Sequence, residues 1–158
     1  MLERTPTEKN LSELVSVGES FSRLINQTAG ASAQFLSGST IGQLVDRSGK
    51  QCYLSQRIAK NYFYRALKFN VEEANRQIAD ARKDFMESSV FLAKAHENTM
   101  EIKFLLQLAA TQWPYFDDAI SQQGKKGSSQ SDYNVATTAE NMLEVLERTN
   151  QLYFKLSS

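Results

Sequence analysis

Cysteine is almost missing from this chain. Cys52 stands alone among 158 residues, so no internal disulfide can staple the fold. Histidine is equally scarce: His96 is the single example, and a lone histidine without a paired thiol or second imidazole does not make a metal site. Charge of one sign is missing too. Lys plus Arg and Asp plus Glu number 18 each, which leaves no net field to draw the chain onto nucleic acid or an anionic membrane surface. No apolar run approaches the roughly 18 residues of a membrane span. Met1-Leu2-Glu3-Arg4-Thr5 lacks the apolar core of a signal peptide, so any membrane attachment is expected through flanking segments outside this chain. No nucleophile with base, paired carboxylates or metal cluster can be assembled from spacing. The expectation is a protein without cofactor or metal and without catalytic residues; an enzyme is the third reading, after two non-enzymatic ones.

Two prolines and seven glycines leave long stretches rich in Ala, Leu, Glu, Lys, Gln and Arg, which points to an all-α chain. Apolar and small residues at Leu11, Leu14, Val15, Gly18, Ser22, Ile25, Ala29, Ser32 and Leu36 share one helical face, and Thr5-Pro6-Thr7 supplies a start signal. A second helix is expected from about Thr40 to Phe69. Asn70-Val71-Glu72-Glu73 reads as a capping box opening a third, with Val71, Ala74, Ile78, Ala81, Phe85, Ser89 and Leu92 inward. Asn98-Thr99-Met100-Glu101 opens a fourth, lined by Ile102, Leu105, Leu106, Ala109, Trp113, Phe116 and Ile120 and expected to kink or lose regularity at Pro114. Residues 122–131, with Gly124-Lys125-Lys126-Gly127-Ser128-Ser129, read as an exposed loop. The last helix is expected from about Asp132 to Leu156. The fold reading is an antiparallel up-down four-helix bundle over 40–158 with an additional N-terminal helical segment over 1–39. In such a bundle the first and last helices end on the same side, and the extra segment extends the first helix, folds back, or packs on a second copy.

One face of the helix beginning near Thr40 is unusual. At about 100° per residue, Ile41, Leu44, Val45, Ser48, Cys52, Ser55, Ala59, Tyr62, Phe63 and Ala66 align, and its middle holds only small residues. Such a stripe suits close helix approach or a small ligand. Ser48, Gln51, Ser55 and Gln56 bring uncharged polar groups that need partners when buried. Lys50, Arg57, Tyr53 and Tyr64 share another side, which reads first as a solvated basic and aromatic surface.

The segment Ser48-Gly49-Lys50-Gln51-Cys52-Tyr53-Leu54-Ser55-Gln56-Arg57 resembles the N-terminal domain of type IV pilus methyl-accepting chemotaxis transducers, related to the sensory domain of nitrate/nitrite sensor kinases. The family pattern is Asn-x-Ala-Gly-Arg-Gln-Arg-Met-Leu-Ser-Gln-Arg; Gly49, Gln51, Leu54, Ser55, Gln56 and Arg57 match it. Weaker echoes lie in Asn98-Thr99-Met100-Glu101-Ile102, in Gln112-Trp113, and in Met142-Leu143-Glu144-Val145 with Tyr153. The resemblance covers roughly Ile41 to Tyr153. It implies an extracytoplasmic, ligand-binding four-helix bundle that dimerises through its first helix. In nitrate-binding members an arginine from each subunit clasps the anion; Cys52 occupies the aligned position here, Asp46, Ser48 and Tyr53 are further departures, and Arg57 points about 140° away around the helix. A ligand other than nitrate is therefore expected.

The resulting expectation is a periplasmic or otherwise extracytoplasmic sensory domain of a chemoreceptor-like or sensor-kinase-like protein. It binds a small molecule through Ser48, Gln51, Cys52, Ser55, Gln56 and Arg57, at or near a homodimer contact on the helix containing Cys52. The alternative is a helical protein-interaction module whose ligand site has decayed, marked by a filled groove at Ser48, Cys52 and Ser55. For Cys52 itself, a buried structural thiol comes before an intersubunit disulfide, and a catalytic thiol last.

Overall fold

The computed structural model describes residues 39–122 and 128–157. The helix expected over 8–36, and with it the whole extra segment before Ser39, lies outside the described residues. Four helices make up the remainder: α1 (Thr40–Ala66), α2 (Val71–Ala93), α3 (Met100–Ser121) and α4 (Ser128–Leu156).

Local chemistry sets most of the boundaries. The Ser39 hydroxyl accepts the Gly42 N–H at 3.1 Å and starts α1. Thr99 does the same for α3, accepting from the Ile102 N–H at 3.2 Å. The expected capping box before α2 is not made: Asn70 sits at the N-cap in a left-handed conformation, φ 43°, with no side-chain cap bond. Its partner Glu73 instead accepts from Arg76, 2.6 Å from Nη2, and from Gln77. The turn explains why. α1 stops at Ala66 rather than Phe69, and Lys68 also takes positive φ, 57°, so the chain reverses through two left-handed residues and carries the Asn70 side chain out of capping register. Glycine relieves the Cβ clash of that conformation, so Lys68→Gly is expected to stabilise the fold by about 0.5–1 kcal/mol. A higher urea midpoint at unchanged slope checks this; an unchanged or lower midpoint contradicts it.

The inward stripes are near-heptad. Along α2 they are Ala74, Ile78, Ala81, Phe85, Ser88 and Leu92, and along α4 Val135, Ala139, Met142, Leu146, Thr149 and Tyr153. Ser88 takes the buried place that the pattern gave to Ser89, and Val71 and Leu156 are partly exposed rather than inward. α4 begins at Ser128, inside the expected loop, while residues 123–127 are outside the described range. Pro114 lies within α3 without ending it; it is exposed, so its ring faces solvent.

α1 is the hub. It packs closely along both α2 and α4, α3 packs on α4, and α2 and α3 approach each other far less. Long side chains hold that last seam apart. Arg82 of α2 reaches Asp117 of α3, with Nε 2.6 Å from Oδ1, and its Nη2 donates to the Asp117 carbonyl and to the Ser121 hydroxyl. Two apolar clusters fill the interior. The larger runs through Leu54, Ile58, Tyr62, Phe85, Phe116, Val135 and Met142; the smaller joins Leu44, Leu92, Ile102 and Tyr153. Because Leu44 opens α1 and Tyr153 closes α4, the chain enters and leaves the bundle at the same end.

Candidate functional site

Between the two apolar clusters the interior turns polar. Ser48 and Gln51 of α1, Ser88 of α2 and Thr149 of α4 are all buried at this level. The Asn150 amide donates to the Val45 carbonyl at 2.9 Å and to the Ser48 hydroxyl at 2.8 Å, crossing from α4 to α1. Gly49 lies beside it: a Cβ there would stand at ordinary contact distance, 3.4 Å, from the Asn150 amide nitrogen. The Ser48 hydroxyl donates to the Val45 carbonyl at 3.1 Å, and Ser55 to the Cys52 carbonyl at 2.9 Å. The Ser88 hydroxyl is buried without a hydrogen-bond partner. A polar layer inside an apolar bundle is costly unless bonded, so it marks a level where the helices are held in register by a few specific contacts.

The six expected site residues divide among different surroundings. Ser48 and Ser55 are buried within the chain, Ser48 beneath the Asn150 amide. Cys52 is half-buried at the edge of this face, its sulfur 3.6 Å from the Ser48 carbonyl. Gln56 is exposed. Arg57 leans the other way, toward α2, donating from Nη2 to Gln77 and lying 5.9 Å from the Tyr53 ring centroid; its Nε is buried without a partner. Gln51, only 2% exposed, turns to the wide seam, donating from Nε2 to the Ser89 hydroxyl at 2.7 Å and the Phe85 carbonyl at 3.4 Å. The helix therefore spreads the motif around its circumference instead of converging it on one point.

The basic and aromatic side of α1 is engaged as a surface network. Lys50 pairs with Asp84 at 2.9 Å, Arg47 lies 5.2 Å from the Phe91 ring centroid and Lys60 5.7 Å from that of Tyr64. Such exposed pairs contribute little individually. Arg65 makes a more structural contact, donating to the Ile120 carbonyl at the end of α3 at 2.7 Å.

At the α2–α3 seam a cavity of about 110 Å³ is lined by Gln51, Phe85, Met86, Ser89, Leu106 and Trp113, with Ala109 and Ala110 completing the α3 wall. Trp113 stacks on Phe85, ring centroids 4.2 Å apart at 13°. Phe116, expected beside it, is fully buried core, whereas Tyr115 is 70% exposed. The sequence reading missed Ser88, Thr149 and Asn150, and it placed Ser89 in the core stripe rather than at the cavity wall. Ser88 and Thr149 sit in the heptad stripes of α2 and α4, and that was the available signal. Among the described residues no cluster of His, Cys, Asp and Glu has metal-binding geometry, and no helix is long and apolar enough to cross a membrane.

Burial pushes the Cys52 thiol up to about 12, with the Glu147 carboxylate adding to it. Burial likewise raises the Tyr62 phenol, which also donates to Asp132 at 3.0 Å, and the Tyr153 phenol, each to about 12. All three folded groups hold protons that the unfolded chain releases near pH 9 to 10. Their contribution to stability is therefore complete below about pH 9 and is lost as pH rises toward 12. Cys52 offers a direct check: its rate with a thiol-specific disulfide reagent should climb roughly tenfold per pH unit from 7 to 10. A plateau near pH 9 would mean an ordinary, accessible thiol.

Compared with family models, with curated proteins and with solved structures, the chain finds no match.

Proposed function

We propose that the chain is an extracytoplasmic ligand-binding sensory domain of a bacterial chemoreceptor-like or sensor-kinase-like protein, of the type IV pilus transducer kind, and not an enzyme. The observation that carries this reading is the common end of α1 and α4, where Leu44 and Tyr153 share one cluster. Chain before Thr40 and after Leu156 leaves from one place, as attachment to flanking membrane segments requires. The motif residues lie on α1, the helix that touches both neighbours along its length. A small ligand acts by biasing the position of α1 against α4, and the Asn150 bonds to Val45 and Ser48 make that position discrete rather than continuous. A second copy packs on the outward side of α1, where Asp46 and Gln56 are exposed. Isothermal calorimetry against small oxyanions, amino acids and nucleobase-like compounds, together with sedimentation at high concentration, tests the reading. Saturable heat from a dimeric protein supports it; no heat from a strict monomer overturns it.

The filling of the Ser48 and Ser55 face favours a second reading, a helical interaction module without a ligand at that face. A partner protein would then bind an outer helix surface, and the calorimetric panel would stay silent while the fold remained intact.

A further inference from the structure

We propose that the α2–α3 seam binds a single-ring aromatic molecule carrying a hydroxyl or amino donor. The inference goes beyond the sensory reading and does not depend on it.

Size comes first. The cavity holds about 110 Å³, less than the roughly 150 Å³ of an apolar protein cavity known to take up benzene. One ring fits with its edge at the open mouth; a fused bicycle does not fit. The walls favour a flat guest. Trp113 is braced flat against Phe85, and Phe85 is itself 2% exposed, so the aromatic wall is preorganised. Met86, 46% exposed, stands at the lip as an adaptable side chain suited to aromatic contact.

Polarity then selects within flat guests. Both hydrogen bonds of the Gln51 side chain are donated by Nε2, which leaves Oε1 as an acceptor on a residue lining the cavity. No cation is among the lining residues. The site thus offers the Gln51 acceptor without a compensating positive charge, which disfavours carboxylates and other anions and favours a neutral O–H or N–H donor.

Trp113 is the sole tryptophan, so the intact protein reports occupancy through its own emission. Phenol is the probe, with benzene as its donor-free counterpart, and excitation is set at the red edge of indole absorption. Saturable change in Trp113 emission is expected with phenol, and binding about tenfold weaker with benzene, the loss of one hydrogen bond. Gln51→Leu should erase most of that difference. This variant leaves no new orphan at Ser89, whose hydroxyl also donates to the Phe85 carbonyl at 2.9 Å. Ala110→Phe, at an exposed rim position, fills the cavity without disturbing the core and should abolish the response while far-UV circular dichroism stays unchanged. Non-saturable quenching in the wild type, or phenol affinity unaltered by Ala110→Phe, overturns the proposal. Phenol and benzene binding equally to the wild type overturns its polar half. A silent seam alongside a positive oxyanion or amino-acid titration would sink this inference and leave the sensory reading standing.

Discussion

Replacing Phe85 by alanine is expected to lower the free energy of unfolding by about 3–5 kcal/mol. Three losses coincide at this residue. Its ring is removed from the largest apolar cluster, where it is 2% exposed beside Leu54, Ile58 and Leu105. Trp113 loses the face it stacks on. The wide α2–α3 seam also loses its main filling, and because those helices approach each other little elsewhere, the void cannot be closed by a small shift. Domain stabilities are typically about 5–15 kcal/mol, so the urea midpoint should fall by about a fifth or more. Far-UV circular dichroism measures it, while Trp113 emission shifts red already in the native baseline. A loss of about 1 kcal/mol or less would mean that the seam is not a packed part of the core.

The second large effect is at the end where the chain enters and leaves. Asn98 is 6% exposed; its amide donates to the Leu92 carbonyl at 2.7 Å, and its Oδ1 accepts the Tyr153 hydroxyl at 2.5 Å. It ties the end of α2, the start of α3 and the last turn of α4 together. Asn98→Ala is expected to cost about 2–3 kcal/mol, since it leaves the fully buried Tyr153 hydroxyl without an acceptor. Tyr153→Phe should cost only about 1 kcal/mol, and the double variant less than the sum of the two, as for any directly bonded pair. Strict additivity would contradict the bond.

These two sites show what could be read in advance. The four helices were legible because Ile, Leu and Ala recur at helical spacing and because Ser39 and Thr99 carry their capping chemistry locally. The Asn70 capping box was not legible in its true form: the left-handed turn at Lys68 and Asn70 depends on how α2 is set against α1, which no local pattern encodes. Ser88 and Ser89 are neighbours about 100° apart on a helix, and only the tertiary setting decides which is buried. The motif on α1 announced polar residues in need of partners, and Ser48 and Gln51 do have them. Their partners Asn150 and Ser89 are far away in sequence, so the split of the motif between the α4 contact and the seam was invisible. The seam cavity follows from Arg82, Trp113 and Phe85 propping two helices apart, again a property of pairs. The small-residue stripe fitted both close helix approach and a ligand, and Ser48, Ser55 and Ala59 within it are buried in the chain.

The central claim, that a bound small molecule moves α1 against α4, is tested most directly by a distance. Spin labels at Gln43 and Gln151, both exposed, in a Cys52→Ser background report the separation of the two helices by pulsed dipolar spectroscopy. Adding a compound that gives saturable heat should shift that distance by about 1–2 Å, the scale of helix displacements in switching proteins. An unchanged distance distribution at saturating compound would contradict the account.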